Sequence, residues 1–522
     1  MNGALQVTYE SFITRRGFSD DPFAFTDSDR EDRLSDYFVP PPYFAGVMGT
    51  PSSPEPTIVF APRGGGKSAQ RRMVEEASVD PSAPFLCITY SNFESVGGTT
   101  PTIADHHVAL SRLLTLAILA ELEADSTGAI YFDEHEKQVL KVAAQTLLSG
   151  LTVGEFQTAM GSIKTLGDKA SALWKKYGGV IAAAIAALMA QAGMSAVNIP
   201  VGLAEQAESL EGSAQYFFVE LVKMSKKLAW QSVFILIDRV DETTATSTSP
   251  NSAFDLISTL ATSLPTLELP GVGFKFFLWD QLRPIFLMKG GRTDRVTVYE
   301  LHWSVLELSE MLTKRLEVFS EGRIRSFNEL LEPDVGIDLH LLLAHLCYGS
   351  PRDMIRMAKQ IIAEATKSDP SVSEITRNAI WAGVHEFSKK RTTELYGKLE
   401  SDFSKFQDVS FVTNKLASDV FRISDNAMRQ KLQQWTEVGA IRKMTELATG
   451  KNRPAHVYTF TDLRVPIGRG RLQDVELALD NYGLECTNCG RIVIGSSKDL
   501  VCECGSTAEL TTSRSLLRVC SI

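Results

Sequence analysis

Residues 57–68 read TIVFAPRGGGKS, and no other stretch constrains the fold of this chain so tightly. TIVF is a short apolar run of β type, APRGGGKS follows at once, and QRRMVEEAS beyond it has the composition of a helix. Strand, glycine turn and helix in that order place a tight loop at the carboxyl end of a strand. Gly64, Gly65 and Gly66 let backbone N–H groups curl around phosphate oxygens; Lys67 then reaches the β and γ phosphates, and Ser68 can ligate Mg²⁺. The sequence meets the pattern G-x-x-x-x-G-K-[ST] except at its first position, where Ala61 makes the smallest possible change. The expected nucleotide contacts are Arg63, Gly64, Gly65, Gly66, Lys67 and Ser68, with ATP and Mg²⁺ as ligands.

The rest of the chain supplies the strands such a loop requires. PFLCITY (84–90), SVFILIDRVDE (232–242), GFKFFLWDQLRP (273–284) and VTVYEL (296–301) are apolar without polar alternation, as in a parallel sheet covered on both faces. Helical spacing fills the intervals, so residues 56–303 read as a three-layer α/β domain with a helical insertion over about 104–228. Residues 1–55 are polar, proline-rich and turn-rich, and read as an arm. Amphipathic helices over 304–395 form a helical lid, and two small modules follow at 405–465 and 480–522. No charged residue occurs from Gly178 to Ala204, a length that could cross a bilayer. Its Ala and Gly content, with Gln191, Ser195, Asn198 and Pro200, favours a buried Ala-rich helix, with membrane insertion as the alternative. The first residues lack the apolar run of a secretory signal, and the seven cysteines do not form a disulfide framework, so the expected location is cytoplasmic.

Acids at strand ends complete the expected site. Asp238, closing VFILID, would hold Mg²⁺ through water, and Asp241 or Glu242 would orient or deprotonate an attacking water. With these residues in place, the chain over roughly 18–395 resembles the P-loop ATPases of the AAA+ and STAND group, including origin-recognition-type and KAP-type members. The resemblance rests on APRGGGKS, IDRVDE, a fourth strand ending in Asp280 and Gln281, and GSPRDMIRM. It implies that Asp280 is the sensor on the fourth strand and that Arg352 is a second sensor closing onto the γ-phosphate. Two features depart from the origin-recognition pattern. Arg239 stands where a glutamate usually follows the strand-end aspartate, and 170 positions separate Ser68 from Asp238, which implies an inserted module of the kind KAP proteins carry. The resemblance also implies an arginine finger, for which Arg283, Arg292, Arg295 and Arg315 are candidates, with a structural ion pair the alternative for each. Phe23, Tyr37 and Phe38 could touch adenine or could pack on the core.

Residues 411–464 hold nine Lys or Arg against five Asp or Glu, while the whole chain carries a net charge of −10. Helix, turn, a helix from Ser424 through Trp435 and two strand-like runs make this region similar to a winged helix-turn-helix. That similarity implies duplex DNA as partner, with Arg429, Lys431, Arg442, Lys443, Lys451 and Arg453 as phosphate contacts. A protein-interaction role is the alternative. Cys486, Cys489, Cys502 and Cys504, as C-x-x-C and C-x-C pairs each followed by Gly, fit a structural zinc ribbon, with an iron–sulfur cluster as the lesser alternative. Together these features predict an ATP-hydrolysing switch or motor that self-associates on binding nucleotide and acts on DNA, with anti-phage defence implied by resemblance alone. A nucleotide-gated scaffold with little turnover, bound to a protein partner, and a membrane-attached KAP-like ATPase remain the other readings.

Overall fold

The structure is a computed structural model. It describes residues 3–80, 85–93, 96, 98–124, 130–148, 151–166, 210–228, 230–406, 409–413, 416–447, 455–470, 483–486, 488, 492–494 and 508–510. Internal contacts divide the chain into two units, one of Pro40–Leu301 and one of Met1–Val39 with His302–Ile522.

The first unit is built on a five-stranded parallel sheet flanked by helices. Strands β1 (Thr57–Ala61), β2 (Phe85–Tyr90), β3 (Ser232–Ile237), β4 (Val272–Trp279) and β5 (Thr297–Glu300) lie in the order β2-β3-β4-β1-β5, every neighbouring pair parallel. Period-two alternation divides the strand residues between two cores. Ile58, Phe60, Ile88, Ile235 and Phe276 join the larger one with the helices Ile103–Ala124, Glu134–Leu148 and Leu210–Ser225. Val59, Phe85, Cys87, Phe234 and Phe277 join the other with Val74 of the helix Lys67–Val79 and Val47 of the short helix Phe44–Met48. Both faces of β1–β4 are therefore covered, which is why those strands are mostly apolar, with Lys275 of β4 an exception. The chain leaving β1 enters the helix of the smaller core, while the chain leaving β4 carries Ile285 and Phe286 into the larger one. Adjacent strands whose connections depart to opposite faces open a crevice at their carboxyl ends.

Among the described residues one helix, Ile103–Ala124, is long and apolar enough to cross a membrane, and most of it is buried in the larger core. The apolar segment 178–204 lies outside the described residues. Lys275, in the middle of β4, is only 1% exposed. Its Nζ donates to the Glu55 carbonyl at 3.1 Å and lies 5.0 Å from the Phe234 ring centroid. Burial pushes its pKa down to about 8, against a smaller upward pull from Glu55.

In the second unit, residues 3–39 are a packed part of the fold rather than a separate arm. The helix Gly3–Arg15 lies against the helix Pro351–Ser368, with Tyr9, Phe12, Phe23, Leu34 and Tyr37 buried. Phe23 packs at 5.8 Å from Phe327 and Tyr37 at 6.0 Å from Phe319, so both aromatic side chains serve this core. Arg315, from the helix Val305–Ser320, is buried here: it pairs with Glu31 at 2.8 Å and donates to the Pro22 carbonyl. Helices Pro351–Ser368 and Arg377–Tyr396 approach most closely at Gly383, where a Cβ would lie 2.5 Å from the Ile361 Cα.

Farther along, β6 (Ser410–Val412), β7 (Ile441–Leu447) and β8 (Ala455–Phe460) form an antiparallel sheet in the order β6-β8-β7. The helix Asp425–Glu437 begins at Ser424, whose side chain accepts from the Ala427 N–H, and buries Met428 and Trp435 among Phe403, Phe406, Phe421 and Phe460. The helix expected from Phe411 gives way there to β6, because Phe411 pairs with Tyr458 in the ladder and stacks on its ring. A last antiparallel sheet, order β10-β9-β11, joins β9 (Gly483–Cys486), β10 (Ile492–Ile494) and β11 (Ala508–Leu510).

Two stability experiments follow. Gly383→Ala should destabilise the protein by about 1–3 kcal/mol in urea unfolding, because the new methyl meets backbone that cannot rotate away. Between pH about 8 and 10.5 the unfolded chain holds the Lys275 proton that the folded chain has released, so stability should rise with pH across that window. Unfolding curves of Lys275→Met over the same range should show a smaller rise than the wild type, since Lys67 also has a lowered pKa.

Candidate functional site

The site grows from the carboxyl ends of β1, β3 and β4. Beyond Ala61 the chain turns through Pro62–Gly66, with the Gly65 N–H donating to the Pro62 carbonyl at 3.0 Å. Gly64 (φ 77°) and Gly66 (φ 100°) occupy the left-handed region, where any other residue is strained. Gly66 caps the helix Lys67–Val79 without a side-chain hydrogen bond, so the positive end of that helix is presented to the loop. Ser68 is half-buried in the first turn.

Lys67 is buried, and its Nζ donates to the Ala61 carbonyl at 3.2 Å, folded back along its own loop. Burial lowers its pKa from the ordinary lysine range; Asp241, then Asp238, Asp280 and Glu242, oppose that shift. The expected lysine and all four expected unit-one acids therefore share one electrostatic environment.

The acids are differently held. Asp238 is 1% exposed; one carboxylate oxygen accepts from Arg71 Nε at 2.8 Å and the other from the Arg239 N–H at 2.9 Å. Arg239 has φ 61°, left-handed for a non-glycine residue, and the Glu242 N–H closes the turn onto its carbonyl. Asp241 is buried and accepts from Arg63 Nε at 2.7 Å, while Arg63 also donates to the Asp241 carbonyl and stacks 4.0 Å from the Trp279 ring centroid. Glu242 is half exposed and lies 3.6 Å from the Arg239 guanidinium. Asp280 is exposed just past β4 and accepts from the Gln281 N–H. Loop, buried amine, helix terminus and acids are the set of groups that a polyphosphate with a divalent ion requires.

Sequence reasoning missed the arginines that hold the acids. A signal for one was present: Lys67, Arg71 and Glu75 recur at i, i+4 and i+8 on one face of the helix. The pairing of Arg63 with Asp241 had none, since it depends on how two loops meet.

Other expected residues fall elsewhere. Arg352 is exposed in the first turn of Pro351–Ser368, in the second unit. Arg283, Arg292 and Arg295 pair with Glu300, Asp294 and Glu268, and with the buried Arg315 all four finger candidates are in ion pairs. Arg429 is exposed on the helix Asp425–Glu437, Arg442 is half-buried on β7, Lys431 is tied to Asp402 at 2.5 Å, and Lys443 pairs with Glu446. Lys451 and Arg453 lie outside the described residues. So do Cys489, Cys502 and Cys504; Cys486, at the end of β9, is buried. Among the described residues, no group of three or more His, Cys, Asp or Glu is placed to hold a metal ion.

No protein-family model matches the chain, and no curated protein matches it. Among solved structures the chain is similar to the ORC2 protein of Aeropyrum pernix in its ADPNP–ADP complexes, at 11% identity over 85% of this chain and 99% of that one, with a TM-score of 0.31. It is similar to the ADP form of the same protein at 10% identity over 86% and 97% of the two chains, again with a TM-score of 0.31.

If the Arg63–Asp241 pair is a real tie between the two loops, Arg63→Ala, Asp241→Asn and the double variant should show a coupling of about 0.5–3 kcal/mol in urea unfolding. Strict additivity would remove the pair from the site.

Proposed function

We propose that this protein is an ATP-binding and ATP-hydrolysing switch or motor of the AAA+ and STAND type, acting on duplex DNA. The observation that carries the proposal is the glycine turn at the sheet's switch point, with Lys67 buried beside Asp238, Asp241, Glu242 and Asp280. In this reading Gly64–Gly66 and the first turn of the following helix hold the phosphates, Lys67 leaves the Ala61 carbonyl for the β and γ oxygens, and Ser68 and Asp238 hold the divalent ion. That ion, when bound, would neutralise charge developing on the transferred phosphoryl group. In this reading Asp241 or Glu242 orients or deprotonates the attacking water, and Glu242, half exposed and on a turn, is the preferred base. Asp280 would orient that water, and Arg352 is assigned a sensing role by resemblance.

The DNA part rests on the helix Asp425–Glu437, with Arg429 exposed, beside the β7–β8 hairpin, an arrangement in keeping with a winged helix. Arg429, Lys431, Arg442, Lys443, Lys451 and Arg453 are its phosphate contacts in this reading, Lys431 and Lys443 also pairing with Asp402 and Glu446 within the fold. Self-association on binding nucleotide, a zinc ribbon on the four C-terminal cysteines and a role in replication or anti-phage defence belong to the same proposal. A second reading, a nucleotide-gated scaffold with slow turnover, is favoured by one observation: Asp238, Asp241 and Glu242 each face an arginine.

Phosphate release from ATP, measured with and without duplex DNA, separates the two. The motor reading expects turnover stimulated by DNA, lost in Lys67→Ala together with ATP binding, and lowered about a hundredfold or more in Glu242→Gln with ATP binding retained. ATP binding with negligible turnover, DNA present, establishes the scaffold reading. Absence of ATP binding sinks both.

A further inference from the structure

Asp238 stands where a divalent ion is expected, and the structure gives it a cation already. The Asp238 and Arg71 side chains are 2% and 3% exposed, with Nε and Oδ2 2.8 Å apart. Arg71 leaves the helix Lys67–Val79 one turn after Lys67, and its guanidinium bridges Asp238 to Glu75. Glu75 in turn accepts from the Thr89 hydroxyl of β2, the strand that neighbours β3. The guanidinium is thus fixed at two carboxylates, one of them tied to the sheet. Arg63 differs: it sits on the loop itself, is 38% exposed, and can leave Asp241 by rotating toward solvent.

A carboxylate in this state is a poor ligand for a second cation. One oxygen is bound by the Arg71 guanidinium and the other by the Arg239 N–H, and an approaching dication meets a like charge held in place by burial. Resting on the nucleotide reading above, we infer that Arg71 occupies Asp238 in place of the divalent ion. Nucleotide then enters this site with little help from Mg²⁺, and engagement of Asp238 by the metal is a separate, gated step that requires Arg71 to release it. Arg71 is a positioning residue: it acts through Asp238 and needs no contact with substrate.

The test is the affinity of the full-length protein for a fluorescent ATP analogue, in excess Mg²⁺ and in excess chelator. The wild type should bind with affinities that differ by no more than about threefold between the two conditions, and Arg71→Met/Glu75→Gln, which removes one charge of each sign, should bind about tenfold or more tightly with Mg²⁺. A merely structural arginine would move affinity in both conditions alike and leave their ratio unchanged. The inference is overturned if Mg²⁺ already tightens wild-type binding by that larger factor, or if the double variant folds and keeps the wild-type ratio. Should the double variant fail to fold, the wild-type ratio alone decides. Failure of the wild type to bind the analogue in either condition overturns the nucleotide reading and this inference with it, whereas strong Mg²⁺ dependence in the wild type overturns only the role of Arg71.

Discussion

Charge buried at the carboxyl edge of the parallel sheet is the constraint on which the rest of the first unit depends. Lys67, Arg71, Glu75, Asp238 and Asp241 are all buried, and none could remain ionised there without a partner of opposite sign or a dense set of dipoles. The local geometry follows from that requirement. Arg71 points inward to meet Asp238 and Glu75, Arg63 lies flat on Trp279 so that its edge reaches Asp241, and the β3 turn takes a left-handed Arg239 that directs a backbone N–H at Asp238. Lys67 has the least settled place. Its hydrogen bonds are to the carbonyls of its own loop, and burial lowers its pKa. A buried ammonium whose hydrogen bonds are to backbone carbonyls is well placed to gain from an incoming anion.

The sheet was legible because parallel strands covered on both faces are mostly apolar, and each of the five runs became a strand, β4 with Lys275 inside it and β5 at the exposed edge. The glycine loop was legible because its left-handed turns admit almost no other residue, so its composition reports its conformation. The helix Asp425–Glu437 was marked by its Ser424 cap and the hairpin after it by apolar alternation. What escaped were relations set by tertiary contact. A polar, proline-rich start reads as an arm because its aromatic residues are spaced without period, yet Tyr9, Phe12, Phe23 and Tyr37 are core residues anchored by Arg315. Lys431 reads as a phosphate contact from charge alone, and only the folded chain brings Asp402 to it.

The two acids that act most strongly on Lys67 differ in how firmly they are held. Asp238 is tied through a buried lattice that reaches β2, whereas Asp241 is tied to a loop arginine with a solvent-facing flank. A ligand that reorganises the loop acts on Arg63 first, since that residue lies between Pro62 and Gly64, and it reaches Arg71 only through the helix. Freeing Asp241 is therefore the lower barrier, and freeing Asp238 the higher one.

The second unit contains a comparable lattice, built around the residue after Arg352. Asp353 is 1% exposed and accepts from Arg391 at 2.8 Å and from Arg464 at 2.9 Å, while Arg464 is held by Asp462 and lies over the Tyr348 ring. The Tyr348 hydroxyl accepts from the Leu463 N–H at 2.7 Å, and Tyr348 itself takes a left-handed φ of 50°. The first turn of the helix Pro351–Ser368 is therefore fixed by residues 462–464, which directly follow the β6-β8-β7 sheet. Arg352 has an exposed side chain on the helical turn whose buried Asp353 this lattice holds. A change at that sheet strong enough to move Arg464 leaves Asp353 with Arg391 as its close partner, or carries the turn that bears Arg352 along with it.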